Sequence, residues 1–431
     1  MVGFWTRPLA FLERCRARYG SRFTVRLPLA PPFVMLSSPG EVKEVFTAPP
    51  DVLHPGAGAS VLEPVVGRNS VILLDGEAHM EQRRLILPAF HGERIARLSA
   101  QVEAVAQRAV AAWPADRPVQ LHERLQQLTL EIILRAVFGL EPGPRMESLR
   151  DRLGAMLQFG EKPISLMPPP VDSTAAKILD RVGPFAQFVR LQREADELIF
   201  ALIEERRRER GDRLDVLAML LGARHEDGAP MTGEELRDEL MTLLVAGHET
   251  TASTLAWCFD RLCRHPQVVG GLRQEDEAYL TATLQEVLRH RPVLPNVAPR
   301  LVVKPIEVGG FSYPEGVCLV PNAYLLHHDP DIYPDPYAFR PERFLEQQPG
   351  TYTWIPFGGG RRRCLGASFA MLEMKLVLRA VLRERELVAV GERFELPRRR
   401  NITIRPGDGG RVRLPVRTEA PPAMLLSGSN G

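Results

Sequence analysis

Apolar residues recur every three or four positions over most of the chain. The runs ERIARLSAQVEAVAQRAVAAW and ADELIFALIEERRRER both show this spacing, which is typical of helices with one buried face. The pattern continues from about residue 75 to about 290, and a last helix is predicted from about Leu365 to Leu382. The periodicity therefore predicts a mainly α-helical protein.

Short alternating runs at both ends predict a minor β portion. Near the start, RFTVRL and PFVML flank a proline-rich turn and predict a small hairpin. After about residue 293, runs such as LVVKPIEVGG and VCLVP alternate with turn residues. No repeat or linker divides the chain, so we predict one α+β unit over residues 1–431, with a disordered tail from about 417 to 431.

The helical pattern breaks between about residues 161 and 178. The run EKPISLMPPPVDSTAAKI contains four prolines and several apolar residues. Long loops of this kind are often functional lids. An irregular surface connection would give the same pattern, and the sequence leaves both interpretations open.

Composition and charge exclude several classes of protein. The chain is 45% hydrophobic and 25% charged with a net charge of +2, so nothing overall favours nucleic acid or an anionic membrane. The N-terminal run is interrupted by charges and a proline, and no apolar run reaches membrane-spanning length, so we expect no signal peptide or membrane anchor. Five scattered cysteines suit a reducing cytoplasm better than a disulfide framework or zinc site. These cysteines are Cys15, Cys258, Cys263, Cys318 and Cys364.

One cysteine stands in a setting that a core cysteine does not need. In WIPFGGGRRRCLG, Cys364 follows three glycines and three arginines and directly precedes the last predicted helix. The helix N-terminus and the nearby arginines favour a thiolate at Cys364. The glycines allow tight turns against a flat ligand, and Gly366 leaves room beside the thiol. A phosphate loop would need GxxxxGK[ST], which is missing here.

The run MTGEELRDELMTLLVAGHETTASTLAWCFDRLCRHP predicts one long helix through the core. Thr232 and Glu235 form a T-x-x-E capping box at its start, and Pro266 follows its end. In its middle, Gly247 costs about 1 kcal/mol relative to alanine, which indicates a packing or functional reason. Thr250 is placed to hydrogen-bond to the carbonyl four residues earlier, which loosens the helix locally.

Several charged residues near these motifs have both a functional and an ordinary interpretation. Glu249 beside Thr250 can exchange protons, whereas His248 is interpreted as a packing or surface residue. Glu286 and Arg289 lie at i, i+3, and His79 and Arg83 lie at i, i+4, so each pair shares one helix face. Alone, such pairs are usually solvated and contribute little.

Adjacent histidines in LLHHDP do not predict a metal site. His327 and His328 would point to opposite faces of an extended segment. We therefore interpret them as structural residues.

Two of these motifs resemble those of one family. FGGGRRRCLG is similar to the FxxGxRxCxG haem-binding loop of the cytochrome P-450 superfamily, and AGHET is similar to that family's A-G-x-[DE]-T motif. The fixed positions of the first motif are all present: Phe357, Gly360, Arg362, Cys364 and Gly366. The order of the Glu286 helix, then RPERF with Arg343, then the cysteine loop also resembles the family. The resemblance implies the family's triangular, mainly α-helical fold with a minor β part.

The resemblance also implies a haem b cofactor and roles for individual residues. Cys364 would be the axial thiolate ligand of the iron, and Glu249 and Thr250 would deliver protons for oxygen activation. A buried cluster of Glu286, Arg289 and Arg343 would support the haem side of the fold. The remaining residues implied to contact haem are His79, Arg83, Arg300 and Arg362 at its propionates, with Phe357, Gly358, Gly366 and Ala246 beside it.

The implied activity is that of a soluble, bacterial-type monooxygenase, expected as a monomer. One atom of O2 would enter a lipophilic small molecule such as a terpenoid, fatty acid or polyketide, for example by hydroxylation in secondary metabolism. The chain has no GxGxxG motif and no iron–sulfur spacing, so a separate ferredoxin or flavodoxin with its NAD(P)H reductase would supply electrons. Arg361, Arg363 and Arg84 would guide that partner, or are simply solvated.

The predicted substrate pocket is apolar. Its candidate residues are Leu243, Ala246, Val293, Leu294, Val297 and Ile402. Two alternatives remain open: a haem-thiolate peroxygenase or isomerase that needs no electron donor, and a non-catalytic haem sensor. Retention of the acid–alcohol pair at Glu249 and Thr250 counts against the first alternative.

Overall fold

Helices dominate the structure, a computed structural model that describes residues 2–28, 30–90, 93–159, 184–209 and 213–418. The predicted loop at 161–178 lies outside these ranges. The helices are α1 Val2–Thr6, α2 Pro8–Tyr19, α3 Pro39–Thr47, α4 Pro55–Gly58, α5 Glu63–Val66, α6 Gly76–Ile86, α7 Glu93–Ala111, α8 Leu121–Ala136, α9 Pro144–Phe159, α10 Pro184–Arg208, α11 Val216–Gly222, α12 Gly233–Leu262, α13 Pro266–Leu272, α14 Glu277–His290, α15 Ala323–His327, α16 Arg343–Glu346 and α17 Ala367–Glu384.

Short strands form four small sheets within the described residues. The strands are β1 Arg22–Val25, β2 Phe33–Leu36, β3 Leu53–His54, β4 Val119–Gln120, β5 Arg300–Val302, β6 Ile306–Val308, β7 Phe311–Tyr313, β8 Cys318–Pro321, β9 Val388–Ala389, β10 Pro397–Arg400, β11 Thr403–Pro406 and β12 Arg411–Arg413. The largest sheet has the order β1-β2-β8-β5-β3, and the others are β4-β12-β9, β6-β7 and β10-β11. The predicted N-terminal hairpin is confirmed, because β1 pairs antiparallel with β2.

The long helix α12 occupies the centre of the fold. Its predicted capping box is confirmed: the Glu235 backbone N–H donates to Thr232 Oγ1 at 3.1 Å, and Glu235 Oε2 accepts from the Thr232 N–H at 2.8 Å. Most side chains along α12 are buried, and the helix packs against α8, α14, α17 and β11. A helix covered on so many sides positions its side chains rigidly, so residues in its middle can form a precise site.

The C-terminal part of the fold differs slightly from prediction. The last helix, α17, begins and ends two residues later than predicted. Arg417 was expected in the disordered tail, but its backbone N–H donates to the Glu384 carbonyl at 2.9 Å. Residues 419–431 lie outside the described ranges. The main hydrophobic core extends from Phe4 to Leu414.

None of the described helices combines the length and the apolar character that crossing a membrane requires.

Candidate active site

The loop before α17 presents Cys364 through tight backbone turns. The Cys364 N–H donates to the Phe357 carbonyl at 2.9 Å, and the Gly358 N–H donates to the Ile355 carbonyl at 3.0 Å. Gly358 and Gly360 have φ values of +68° and +62°, a region that glycine adopts at no steric cost and that strains most residues with a Cβ. These turns place Cys364 three residues before the first residue of the helix.

The glycines also let the loop lie close to α3. A Cβ atom at Gly359 would overlap the Phe46 ring, and one at Gly360 would overlap the Phe46 carbonyl oxygen. At Gly366, by contrast, a Cβ would meet nothing within 4 Å. Phe46 therefore fixes the loop from one side, while the space beside Gly366 stays open.

Replacing Gly360 with alanine is expected to destabilise the cysteine loop. The positive φ costs about 1–2 kcal/mol for a residue with a Cβ, and the overlap with a backbone oxygen adds to that cost. The free energy of unfolding in urea measures the loss. Gly391→Ala is the matched control, because Gly391 has a φ of +81° but nothing within 4 Å of its Cβ position. An equal loss in both variants would mean that contact with Phe46 does not matter.

The Cys364 thiol opens onto space inside the fold. Cys364 is exposed, yet burial by the surrounding protein is the largest influence on the thiol and raises its pKa. The Gly366 N–H and the charges of Arg83 and Arg363 act in the opposite direction. In the protein alone, burial therefore outweighs the thiolate stabilisation expected from the sequence. A metal ion would reverse this balance, because ligation deprotonates a thiol.

Basic side chains gather near this thiol. His79 and Arg300 are buried, and burial together with neighbouring arginines lowers the pKa of His79 to about 3 and that of Arg300 to about 9. Burial also lowers the pKa of Arg83, while the nearby Cys364 raises it. Among the described residues, no carboxylate forms an ion pair with His79, Arg83 or Arg300. Such a cluster favours an anionic ligand.

Arg362 belongs to the same cluster but already has partners. Its guanidinium donates to Asp75 Oδ1 at 2.6 Å and to the carbonyls of Val71, Ile72 and Leu74. Burial lowers the pKa of Arg362 to about 10, although Asp75 opposes this effect. Asp75 also accepts from the N–H groups of residues 56 and 57. Arg362 therefore ties the cysteine loop to the segment before α6, in addition to any contact with a ligand.

These groups fit haem b. The donor set combines one accessible thiol, which suits iron, with buried basic side chains that lack carboxylate partners in the described part of the chain. Haem carries two propionate carboxylates, and guanidinium groups bind carboxylates well. Cys364 would hold the iron, and His79, Arg83 and Arg300 would face the propionates.

In the middle of α12, a side chain shares a backbone acceptor of the helix. The predicted bond is confirmed: Thr250 Oγ1 donates to the Ala246 carbonyl at 2.6 Å. Ala246 is exposed although α12 lies in the core, so this turn also borders internal space. Gly247 has a packing reason, because a Cβ there would lie 2.9 Å from Ile133 Cδ1 on α8.

Glu249 accepts hydrogen bonds from several elements at once. Its Oε1 accepts from Ser253 Oγ at 2.8 Å and lies 3.3 Å from His122 Nε2. Its Oε2 accepts from Gln126 Nε2 at 2.8 Å and pairs with Arg400. Burial raises the pKa of the Glu249 carboxyl, but His122 and Arg400 outweigh that effect and lower it to about 2. Glu249 is therefore a carboxylate in this arrangement and does not exchange protons near neutral pH.

His248 is a packing residue rather than a surface residue. It is buried, and its Nδ1 lies 3.0 Å from Thr129 Oγ1 on α8. Burial lowers the pKa of His248 to about 4, so the ring is neutral near pH 7. The contact helps to join α12 to α8.

Glu286, Arg289 and Arg343 form a buried charge cluster. Arg289 donates to both carboxylate oxygens of Glu286, at 2.6 Å and 2.8 Å. Arg343 Nε lies 3.2 Å from Glu286 Oε2. Arg289 also donates to the carbonyls of His327 and Pro336. The cluster therefore joins α14 to the irregular chain that leads toward the cysteine loop.

The candidate pocket residues occupy different environments. Val293 is buried, and its carbonyl accepts from the Ile404 N–H at 2.8 Å. Val297 lies against the cysteine loop, since a Cβ on Gly358 would be 3.6 Å from its Cγ1. Ile402 is exposed at the tip of the β10–β11 hairpin, and Leu243 and Leu294 are half-buried.

The remaining predicted residues are exposed or contact a ring, a carboxylate or a backbone group. The Phe357 ring packs edge-to-face on Trp354 with centroids 6.0 Å apart. Arg361 and Arg363 are exposed, whereas Arg84 pairs with Glu226. Both adjacent histidines contact backbone groups: His327 Nε2 accepts from the Ile355 N–H, and the His328 ring contacts the Tyr324 carbonyl.

Sequence reasoning missed the partners of Glu249 and Arg362. Arg400 ends the run PRRR in β10, and that run was a visible signal of an unassigned basic group. His122 and Gln126 carried no signal, because their role depends on the packing of α8 against α12. Asp75 precedes α6 as a typical capping residue, but its side chain makes no cap hydrogen bond and serves Arg362 instead.

Comparison with known proteins gives one consistent result. A sequence model of the cytochrome P-450 family matches residues 1–406. A protein assigned as cytochrome P-450 135B1 of Mycobacterium tuberculosis is 38% identical over 418 residues, covering 94% of this chain and 87% of that protein. Another from the same organism, assigned as cytochrome P-450 137, is 36% identical over 405 residues, covering 92% of this chain and 83% of that protein.

Solved structures have the same architecture. A retinoic acid-bound cyanobacterial CYP120A1 is similar with a TM-score of 0.82 and 25% identity, covering 94% of both chains. The haem domain of cytochrome P450DA is similar with a TM-score of 0.80 and 22% identity, covering 95% of this chain and 93% of that chain. The second likeness concerns the fold alone.

Proposed function

Because this chain belongs to the cytochrome P-450 family of haem-thiolate monooxygenases, with haem b as cofactor, we propose that it oxidises a lipophilic small molecule with electrons from a separate redox partner. The reaction is insertion of one atom of O2, for example as hydroxylation in secondary metabolism. The observation that carries the proposal is the accessible Cys364 thiol beside buried basic side chains that lack carboxylate partners among the described residues. Haem b supplies the oxygen activation and the oxygen-atom insertion.

Different residues of the chain bind the cofactor and supply protons for the reaction. Cys364 holds the iron as a thiolate, and His79, Arg83 and Arg300 hold the propionates. Thr250 holds a proton-donating hydroxyl in the middle of α12. Glu249 is the acid that supplies the proton, after its present ion pair opens. We treat the described chain as one haem-binding unit, supported by the continuous core from Phe4 to Leu414.

Apolar residues favour a lipophilic substrate. Val293, Val297 and Ile402 offer no charged group for recognition, and apolar lining is typical of sites for lipophilic ligands. The retinoic acid-bound CYP120A1 is similar to this chain at a TM-score of 0.82, and retinoic acid is a lipophilic isoprenoid. A terpenoid, fatty acid or polyketide is therefore the substrate class we propose.

A separate ferredoxin or flavodoxin with an NAD(P)H reductase is the proposed electron source. The chain lacks the GxGxxG motif and the cysteine spacing that a built-in reductase would need. Exposed Arg361 and Arg363 beside the thiol loop offer positive charge to an acidic partner. All five cysteines are free, which suits the reducing cytoplasm that we propose as its location.

The function is tested by a panel of lipophilic compounds screened for a shift of the haem spectrum from low to high spin. Compounds that give a shift are then incubated with NADPH, ferredoxin and reductase, or with hydrogen peroxide alone. The monooxygenase proposal expects product with the electron donors. Product with peroxide alone would favour a peroxygenase, and binding without oxygen consumption would favour a sensor.

Replacing Thr250 with alanine is expected to uncouple the reaction. The variant keeps Cys364 and the basic cluster, so it should retain haem, but it loses the Thr250 hydroxyl in the middle of α12. General acid catalysis contributes about 10²–10⁴-fold in rate, so more electrons should end in peroxide and fewer in product. The ratio of product to NADPH consumed measures the effect.

Two further variants control this experiment. Thr250→Ser keeps the hydroxyl and should restore most of the coupling. Thr254→Ala removes a similar hydroxyl one turn later, which donates to the Thr250 carbonyl at 2.8 Å, and should leave coupling close to that of the unmodified protein. Unchanged coupling in Thr250→Ala would remove Thr250 from the mechanism.

A further inference from the structure

Phe46, in the last turn of α3, packs its ring against two parts of the proposed haem site. Val42, Val45 and Phe46 lie at i, i+3 and i+4 on one face of α3, and all three are buried. This face belongs to a second hydrophobic core that also contains Leu36 of β2 and Val302 of β5. The Phe46 ring, 6% exposed, is therefore held in place by the packing of α3.

The ring lies directly against the cysteine loop. A Cβ atom at Gly359 would overlap the Cδ2 and Cε2 atoms of the Phe46 ring. Gly359 has a φ of −165°, an extended conformation that residues with a Cβ also adopt. The ring, and not the backbone conformation, therefore excludes a side chain at Gly359, and the bare backbone of the loop packs on Phe46.

The ring also meets the guanidinium of Arg300. Arg300 Cζ lies over the Phe46 ring, 4.8 Å from its centroid, which is the geometry of a cation–π contact. Arg300 is 3% exposed, and burial together with the charge of Arg362 lowers its pKa to about 9. The guanidinium therefore keeps its charge near pH 7 while it is shielded from water, and cation–π contacts are strongest under those conditions.

Few other contacts direct the Arg300 side chain. Its backbone is fixed where β5 pairs with β8, and its Nη1 donates to the Ala298 carbonyl at 2.7 Å. Within the described ranges, no carboxylate pairs with the guanidinium. Ordering a long side chain when a ligand binds costs entropy. Contact with the Phe46 ring removes part of that cost, because it restricts the guanidinium before the ligand arrives.

We propose that Phe46 is a positioning residue that holds the Arg300 guanidinium toward a haem propionate and fixes its distance from the cysteine loop. The inference rests on the proposed function, in which Cys364 holds the iron and Arg300 faces a propionate. One ring then sets the relative position of two groups that bind different parts of the same cofactor. The site is therefore partly formed before haem binds.

The first test measures the rate at which haem leaves the protein. Phe46→Leu and the unmodified protein are each reconstituted with haem b, or with haem dimethyl ester, whose propionates are capped, and excess apomyoglobin takes up the released cofactor. With haem b, we expect Phe46→Leu to lose its cofactor about 2- to 30-fold faster, the range that a cation–π contact supplies. With the ester, which offers Arg300 no carboxylate, the acceleration should largely disappear. An equal acceleration with both cofactors would overturn the proposal.

Three variants control this experiment. Phe46→Tyr keeps the ring and should retain haem b as the unmodified protein does. Phe46→Met keeps an apolar side chain without a ring and should behave like Phe46→Leu, so it carries the test if the leucine variant fails to fold. Phe23→Leu makes the same replacement at a similarly buried ring, 7% exposed, in β1 and should leave haem loss unchanged. Equally fast loss in Phe23→Leu would count against a specific role of Phe46.

A double-mutant cycle shows whether Phe46 acts through Arg300. Arg300→Gln removes the charge and should itself speed the loss of haem b. Combined with Phe46→Leu, the two accelerations should be clearly less than multiplicative, because both remove the same contact. Arg83→Gln, on α6, should combine with Phe46→Leu multiplicatively. Multiplicative effects in both combinations would overturn the proposal.

Gly359→Ala tests the contact between the ring and the cysteine loop. Its added Cβ should displace the Phe46 ring and speed the loss of haem b. In the Phe46→Leu background, where the ring is already absent, the same change should have little further effect. The same acceleration in both backgrounds would mean that the ring does not fix the loop.

These measurements also separate the inference from the proposed function. If the reduced, carbon monoxide-bound protein lacks the red-shifted Soret band, the haem-thiolate function itself fails. If Arg300→Gln retains haem b as well as the unmodified protein does, the assignment of Arg300 to a propionate fails, whatever Phe46 does. If the band is present and Arg300→Gln speeds the loss of haem b but not of the ester, while Phe46→Leu changes neither rate, only the role of Phe46 fails.

Discussion

Replacing Cys364 with serine is expected to abolish the strongly red-shifted Soret band of the reduced, carbon monoxide-bound protein and to remove monooxygenase activity. The red shift reports a thiolate bound to the iron, and thiolate donation promotes cleavage of the O–O bond. A serine hydroxyl at the same position is a far weaker electron donor. The loop around it should survive, because Phe46 and the glycines fix its backbone.

The carbon monoxide spectrum after dithionite reduction measures this result, and total haem is determined separately. Cys15→Ser is the matched control: Cys15 is also a partly accessible free cysteine, but it lies on α2 and should leave the spectrum unchanged. An undiminished red-shifted band in Cys364→Ser, in freshly prepared protein fully loaded with haem, would disprove the assignment of the ligand.

Local chemistry explains why parts of this site were predictable from the sequence. The Thr232–Glu235 cap and the Thr250–Ala246 hydrogen bond join residues three or four positions apart, so helical spacing is sufficient to predict them. The cysteine loop is similarly local, because its glycines act on the backbone beside Cys364. The family resemblance added roles for these residues that spacing alone does not supply.

Long-range pairs explain what the sequence did not reveal. Arg400 and Glu249 are 151 positions apart, and Arg362 and Asp75 are 287 apart. Nothing in the pattern near Glu249 indicates that its carboxylate is already paired, and the sequence alone therefore predicts a side chain that can exchange protons. Its actual state depends on how α8 and the β10–β11 hairpin pack around α12, and periodicity does not determine that packing. The same holds for the raised pKa of Cys364, which results from burial.

Replacing Glu286 with glutamine is expected to cost about 3–5 kcal/mol of folding free energy, because it leaves buried arginines without their carboxylate. Glu286 and Arg289 are both fully buried, and Arg343 depends on the same carboxylate. Urea unfolding and haem content measure the loss. Arg343→Gln should cost less than Glu286→Gln, since the closer pair with Arg289 remains. This second variant keeps the test informative if the first does not fold.

The control for this cluster is an ion pair that has the same spacing along the chain but is exposed to solvent. Glu204 and Arg207 also lie at i, i+3, at 2.8 Å, but their side chains are 53% and 37% exposed. Exposed pairs contribute only about 0–1 kcal/mol, so Glu204→Gln should have almost no effect. The spacing of the two pairs is matched, so the difference between the two variants measures the combined effect of burial and of the second arginine, Arg343, at Glu286. Similar small losses in both variants would mean that the cluster does not stabilise the fold. Some other contact would then have to join α14 to the chain that leads toward the cysteine loop.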